Sequence, residues 1–145
     1  MGLLVASWGA TTSAAHGVLY DAAELPALVA VAADGALVGV LTYVVAGGAI
    51  EVVTLDAPVR FAGVGTALLS AAAEVGRGAG VDRLWLVTTN DNLDALRFYQ
   101  RRGMRIVGVA PGAVDDARAN LKPGIGMVGA YGIELHDELT LELAL

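Results

Sequence analysis

Ile50-Glu51-Val52-Val53-Thr54-Leu55, followed shortly by Arg60-Phe61-Ala62-Gly63-Val64-Gly65-Thr66, decides how this chain folds. The first stretch is a compact apolar run of the kind a buried strand needs. Beyond the second, Val64, Ala67, Leu68, Ala71, Ala72 and Val75 recur at helical spacing, and Gly76, Gly78 and Gly80 end the pattern. A strand that turns through small residues into a helix is built to hold an anion. The first amides of a helix have no internal acceptor, and the helix dipole adds partial positive charge there. Glycines at 63 and 65 remove the Cβ atoms that would hold a phosphate away from those amides. The expectation is a diphosphate-bearing ligand at residues 60–67.

Upstream of this unit, Leu3 to Trp8 reads as a short strand and Thr11 to Gly17 as loop. Ala27 to Ala32 is an apolar run before the turn signal Asp34-Gly35. Ala36 to Val45 is a strand rich in Val and Leu, and Gly47-Gly48 turns it into Ile50–Leu55. The first half is therefore an antiparallel meander. Downstream, Arg83 to Val87 is a buried strand, and Asn92 to Arg102 is a helix stopped by Gly103. Thr88 to Asp91 offers N-cap residues for it. Met104 to Val109 is a strand. Pro111 to Asp137 is long and Gly-rich, with a helical turn near Val114–Ala119. Glu138 to Leu143 alternates strictly, as a strand with one wet face does. The crossover from 50–55 through a helix to 83–87 implies a locally parallel pair. The expected fold is mixed α/β (α+β): one domain over residues 1–145, with a central mixed sheet flanked by helices.

The chain has 145 residues, enough for a proper core, and no linker long enough for two domains. No apolar run reaches the roughly 18–20 residues of a membrane span. The N-terminus lacks a basic region before its apolar residues, so a signal peptide is rejected and a cytoplasmic location expected. With no cysteine and two histidines, thiolate chemistry is excluded and no metal site is expected. The net charge is −6, and all nine basic side chains lie from Arg60 onward. Asp21, Glu24, Asp34, Glu51 and Asp56 stand before it without a counter-charge in sequence. Such a chain lacks the basic face that nucleic acid requires. Its acidic half is a solvated surface or an attractor for a cationic amine.

Other phosphate loops fit poorly. Gly63-x-Gly65-x-x-Leu68 lacks the third glycine of a dinucleotide fingerprint, and no Gly-Lys-Ser/Thr occurs. Arg60-x-x-Gly63-x-Gly65 instead resembles the R/Q-x-x-G-x-G/A pyrophosphate loop of the GNAT acyltransferase superfamily. A second segment, Asn92-x-x-Ala95-x-x-Phe98-Tyr99-x-x-x-Gly103-Met104, resembles the helix-and-turn of the same family. The resemblance covers roughly Ala27 to the C-terminus. It implies a GNAT-like sheet of about six or seven strands. The segments around Asp115–Arg118 and Gly132–Leu139 look like a bacterial branch of GNAT proteins without a well-defined substrate. Ser7 to Pro26 is shorter than the two helices usual there, so the acceptor side is reduced. Ala57 replaces a frequent proline, and Ala62 a frequent glycine or basic residue.

The resemblance makes the diphosphate that of acetyl-CoA. It would lie on the amides of Arg60, Phe61, Ala62, Gly63, Val64, Gly65, Thr66 and Ala67, with Arg60 the sole basic side chain of the loop. Val53, Thr54 and Leu55 would offer backbone groups to the pantetheine arm, which can add to a sheet edge like a strand. Asn92 would bond that arm too; helix capping is its ordinary alternative. Tyr99 is the candidate general acid for the departing thiolate, while Phe98, pointing elsewhere, is expected in the core. Glu51 is the candidate base for the incoming amine. By alternation it shares a sheet face with Val53 and Leu55, and Asp56 is its alternative. The implied activity is acetyl transfer to a small-molecule or peptide amine, with no covalent intermediate. The competing reading is a non-catalytic acyl-CoA-binding module. The alternating final strand could pair two copies into a homodimer.

Overall fold

The computed structural model of the chain describes residues 12–57 and 63–145. The expected strand at Leu3–Trp8 lies outside them, as do Arg60, Phe61 and Ala62. The strands are β1 (Thr12–Ala15), β2 (Val18–Asp21), β3 (Ala27–Val31), β4 (Leu37–Ala46), β5 (Ala49–Asp56), β6 (Arg83–Thr89), β7 (Arg105–Ala110) and β8 (Glu138–Ala144). The helices are α1 (Val64–Gly78), α2 (Leu93–Arg101) and α3 (Ala113–Asn120). The fold is mixed α/β. β1 and β2 form a two-stranded sheet, and the other strands a six-stranded mixed sheet in the order β3-β4-β5-β6-β8-β7. Its final strand is interior to this order, so β8 has no open edge with which to pair a second copy; β7 has the edge instead.

Two compact units divide the chain. The first holds β3, β4, β5, α1 and the start of β6; the second holds the His16–Gly17 turn, the rest of β6, α2, β7, α3 and most of β8.

In the first unit the expected meander is present. Gly35 has φ 88° in the β3–β4 turn, and Gly47 and Gly48 have φ 60° and 76° between β4 and β5. Those left-handed values suit glycine and twist the hairpins correctly. Helix α1 packs on β3, β4 and β5, burying Leu68, Leu69, Ala72 and Ala73. Two glycines let it approach the sheet closely. A Cβ on Gly39 of β4 would lie 2.6 Å from Val64 Cγ1 and 2.9 Å from Leu68 Cδ1. A Cβ on Gly76 would lie 2.8 Å from Ile50 Cγ2 and 2.7 Å from Leu145 Cδ1. Gly76 therefore does not end the helix, which runs on to Gly78. It is the point at which the helix touches β5.

Within the stretch expected as a loop, residues 12–17 form instead the first strand and the turn of a hairpin, turning at His16 and Gly17 with φ 39° and 79°. Its first strand, Thr12-Ser13-Ala14-Ala15, is made of small residues with little strand preference apart from Thr12, whereas its second, Val18-Leu19-Tyr20-Asp21, holds good strand formers. The helical turn anticipated near residues 114–119 is the eight-residue helix α3, entered from Gly112 with φ 74°.

Gly76 and Gly78 of α1 separate packing from propensity. Glycine to alanine in a helix gains about 0.5–1 kcal/mol, whereas overpacking costs about 1–3 kcal/mol. Gly76→Ala is expected to lower stability on balance. Gly78→Ala, where an added Cβ meets nothing within 4 Å, is expected to raise it. Urea midpoints at unchanged slope would read both signs.

Candidate active site

In the first unit, β5 leads toward the start of α1. Its pairing with β4 places Thr42 opposite Thr54 and Tyr43 opposite Val52, so Val53 is an extra residue with no partner on β4. This is a β-bulge: it interrupts the ladder, bends the strand and re-aims the residues that follow. It also changes which side chains share a face. Val44 pairs with Glu51 and Thr42 with Thr54, so Glu51 lies on the Thr54 face. The simple alternation that grouped it with Val53 and Leu55 fails at the bulge. Leu55 pairs with Leu41 on the other face, the one that carries Gly39 and Ile50 against α1.

Glu51 is 5% exposed. Thr42 and Thr54 are buried beside it on the same face, and their hydroxyls hydrogen-bond each other. That pairing satisfies two polar groups that would otherwise be costly to bury. Asp56 follows on this face, opposite Val40, and is half-buried.

Gly63 caps α1 with φ 87°, and no side chain caps the helix start. Its carbonyl accepts from Ala67 N at 2.9 Å, closing the first turn. Val64, Gly65, Thr66 and Ala67 thus form the first helical turn, where backbone amides and dipole favour an anion. Among the described residues nothing stands within 4 Å of a would-be Cβ on Gly63.

In the second unit, Asn92 is the N-cap residue of α2, yet its side chain makes no cap bond. Its Nδ2 donates instead to Thr88 Oγ1 at 3.1 Å. Tyr99 is the buried residue of α2, at 9% exposure. Burial pushes its phenol up to about 12, so the hydroxyl stays protonated throughout the neutral range. Phe98, expected in the core, is only half-buried. Arg102 lies 3.9 Å above its ring, and Phe98 meets Tyr99 edge-on at 5.4 Å. Successive helical positions point apart, and here the inward one is Tyr99.

Asn90 and Asp91 do not cap α2. Asn90 ties the C-terminal segment to β6: its Nδ2 donates to Glu134 O at 2.8 Å, and its Oδ1 accepts from His136 N and Asp137 N. Asp91, 9% exposed, accepts from Thr89 Oγ1 and from Ala130 N. A Cβ at Gly129 would collide with the Asp91 carboxylate, which is why glycine stands there. Arg118 does the same work from α3. It donates to Ile125 O, Gly126 O and Leu135 O at 2.8–3.0 Å and pairs with Asp115 at 2.9 Å. Carbonyls in a segment without regular structure need such donors. Tyr131 is 67% exposed with its hydroxyl on Asp94 at 2.6 Å, whereas Tyr43 is half-buried on β4.

Among the described residues no group of three or more His, Cys, Asp or Glu is placed to hold a metal ion, and no helix is long and apolar enough to cross a membrane.

Comparison with known proteins bears on the family and the fold. The profile of the acetyltransferase (GNAT) family matches residues 5–104. The uncharacterized protein YdhI of Bacillus subtilis (strain 168) is 39% identical over 132 residues, covering 91% of this chain and 82% of that protein. Among solved structures, a Bacillus subtilis acetyltransferase in complex with CoA superposes with a TM-score of 0.70 at 24% identity, over 82% of this chain and 76% of that one. Nourseothricin acetyltransferase superposes with a TM-score of 0.65 at 25% identity, over 88% and 71% respectively.

His136 tests the tether in the second unit. Its Nδ1 bonds Asp115 at 3.0 Å, and that carboxylate holds the imidazole above its ordinary 6.5. Asp115 is correspondingly held below its ordinary 3.8, by His136 first and then Arg118. A raised histidine contributes stability that is complete below its unfolded pKa and lost as pH rises through its folded one. A lowered aspartate contributes above its unfolded pKa and loses it as pH falls through the folded one. His136→Gln should therefore lower the melting temperature most between these limits, near pH 6, and the deficit should shrink by about pH 9. Thermal melts across pH would show a flat difference if the pair did not form.

Proposed function

The chain belongs to the GNAT acetyltransferase family, and from that premise we propose that it transfers the acetyl group of acetyl-CoA to a primary amine by direct attack. The observation that carries this reading is the bulge at Val53, which breaks the strand ladder shortly before the glycine-led start of α1. One chain segment thus supplies Val53, without a partner on β4, and then a helix start suited to a diphosphate. Val53, Thr54 and Leu55 bond the pantetheine arm. Gly63 to Ala67, with Arg60, Phe61 and Ala62 before them in the sequence, receive the pyrophosphate. Asn92 bonds the arm; its side chain makes no cap bond, its Nδ2 meeting Thr88 Oγ1 instead, which supports a role other than capping.

The neutral amine nitrogen attacks the thioester carbonyl carbon, and the amide of Leu55 polarises that carbonyl. Collapse of the tetrahedral intermediate breaks the C–S bond. Tyr99 gives its proton to the departing thiolate sulfur and recovers one from solvent. Glu51 accepts the proton that the amine loses, directly or through water. Holding amine and thioester together supplies a large share of the rate. A phenol raised to about 12 is a poor acid at rest but a permanent donor, and it is matched to a leaving group only as charge develops on sulfur. The acceptor is a small-molecule or peptide amine, and the setting is cytoplasmic.

Acetyl-CoA should raise the melting temperature, and thiol release with a panel of amines should reveal turnover. Stabilisation without turnover on any amine would instead mark a binding module. Tyr99→Phe is expected to lower kcat by about 10²–10⁴ while leaving the acetyl-CoA-dependent stabilisation intact. An unchanged kcat over the full pH range would remove Tyr99 from the chemistry.

A further inference from the structure

The six-stranded sheet ends on β7, and among the described residues no strand lies beyond it. Its outer row of backbone N–H and C=O groups therefore has no partner strand. Natural proteins blunt such edges with charge, proline or a covering segment, because an open edge is a template for another chain. The sequence of β7, Arg105-Ile106-Val107-Gly108-Val109-Ala110, has a single charge, at its first position, and no proline. It exposes Ile106 at 45%, Val107 at 54% and Val109 at 60%. Leu141, which stands opposite Ile106 on β8, is by contrast fully buried. The exposed apolar groups thus belong to the edge itself.

The two ends of β7 differ in charge. Helix α2 delivers the chain to the first end, where Arg101, Arg102 and Arg105 are exposed. Glu142 of β8, opposite Arg105, offsets one of them. The other end runs through Gly112 into α3, which has Asp115 and Asp116 in its first turn. Arg118 and His136 offset Asp115, while Asp116 is exposed. Asp137 accepts from Gly112 N at 2.9 Å at the same end. One end is therefore basic and the other acidic. An antiparallel strand of the same sequence would set the basic end of each copy against the acidic end of the other, twice over. A parallel one would set like against like. Val107 has no partner on β8 and forms a bulge, which increases the local twist. A second β7 carries that same twist, and a flat strand does not.

We propose that β7 pairs antiparallel with β7 of a second copy of this chain, joining the two sheets edge to edge across a two-fold axis. Such a contact is isologous and closes at two copies. Hydrogen-bonded and non-hydrogen-bonded pairs alternate along an antiparallel ladder, so two-fold symmetry requires one residue to stand opposite its own copy. Pairing centred on β7 puts Val107 or Gly108 there. In either register the two Val107 side chains lie at or beside the axis, with Ile106 and Val109 close by, and exposed apolar surface of both copies is covered. The ladder and the apolar groups supply most of the affinity. The end charges are individually worth little, and they fix direction and partner. The strand and both of its charged ends belong to the second unit. The inference therefore stands whether or not the chain transfers acetyl groups.

Sedimentation equilibrium of the full chain should show a reversible equilibrium between one copy and two, with no larger assembly. Val107→Lys leaves every β7–β8 pair in place and sets two lysines beside the axis. It should weaken the dimer by roughly tenfold or more. Arg101→Glu and Asp116→Arg should each weaken it several-fold, since each sets like charges together at both ends. Mixed in equal amounts, these two variants should associate more tightly than either does alone. One end of the mixed pair has its charges exchanged, and the other is as in the parent chain. Circular dichroism shows whether each variant is folded, and the mixed pair decides the matter if Val107→Lys is not. A parent chain that stays monomeric at millimolar concentration would overturn the proposal and leave the edge to a foreign strand. Assemblies larger than two, an undiminished dimer in folded Val107→Lys, or a mixed pair no tighter than its separate members would overturn it as well.

Discussion

The close approach of α1 to β4 and β5 is the constraint on which the first unit depends. Gly39 on the strand and Gly76 on the helix are the two points where a single Cβ would push the layers apart. They act near opposite ends of the helix, so together they set both its distance and its tilt. Gly39 meets the first turn, at Val64 and Leu68, and therefore fixes where the helix start stands over β4. An anion site made of backbone amides has no side chain to adjust, so its accuracy is that of the packing beneath it. The register of β4 on β5 matters for the same reason: the extra residue at Val53 sets which groups of β5 face α1 and which face away.

A different device holds the second unit. Its long connection from Pro111 to Asp137 has little regular structure beyond α3, so its backbone polar groups need partners from elsewhere. Asn90, Asp91 and Arg118 supply them, each side chain serving two or more backbone or side-chain groups. Asn90 and Asp91 immediately precede Asn92. The residues that fix the connecting segment and the residue proposed to meet the cofactor are thus consecutive, and a displacement of one would be felt by the others.

Much of this was legible in the sequence because it rests on local signals. Apolar runs gave β3 to β8 within a residue or two, and the helical period gave α1 and α2. Paired glycines marked the hairpins. What stayed hidden depends on contacts between distant segments. The hairpin at His16 opens on a strand of small residues, and its turn puts a histidine at positive φ, which no turn preference announces. The bulge at Val53 exists only relative to β4, so alternation misplaced Glu51. Capping preference assigned Asn90 and Asp91 to the helix beside them, whereas their partners lie some 40 residues on. Gly76 read as a terminator because the sequence does not reveal that Ile50 and Leu145 close over it.

Tyr99 and Glu138 are shifted in the same direction by the same cause, and the consequences are opposite. Desolvation penalises the charged form of each. For a phenol the neutral form is already the resting state, so burial merely secures a donor and costs the fold little. For a carboxylate, burial opposes the state that water would favour, and the cost persists until a proton or another cation offsets it. A buried tyrosine is therefore ordinary packing with a possible second use. At Glu138 the backbone amide of His16 and the His16 charge oppose that cost.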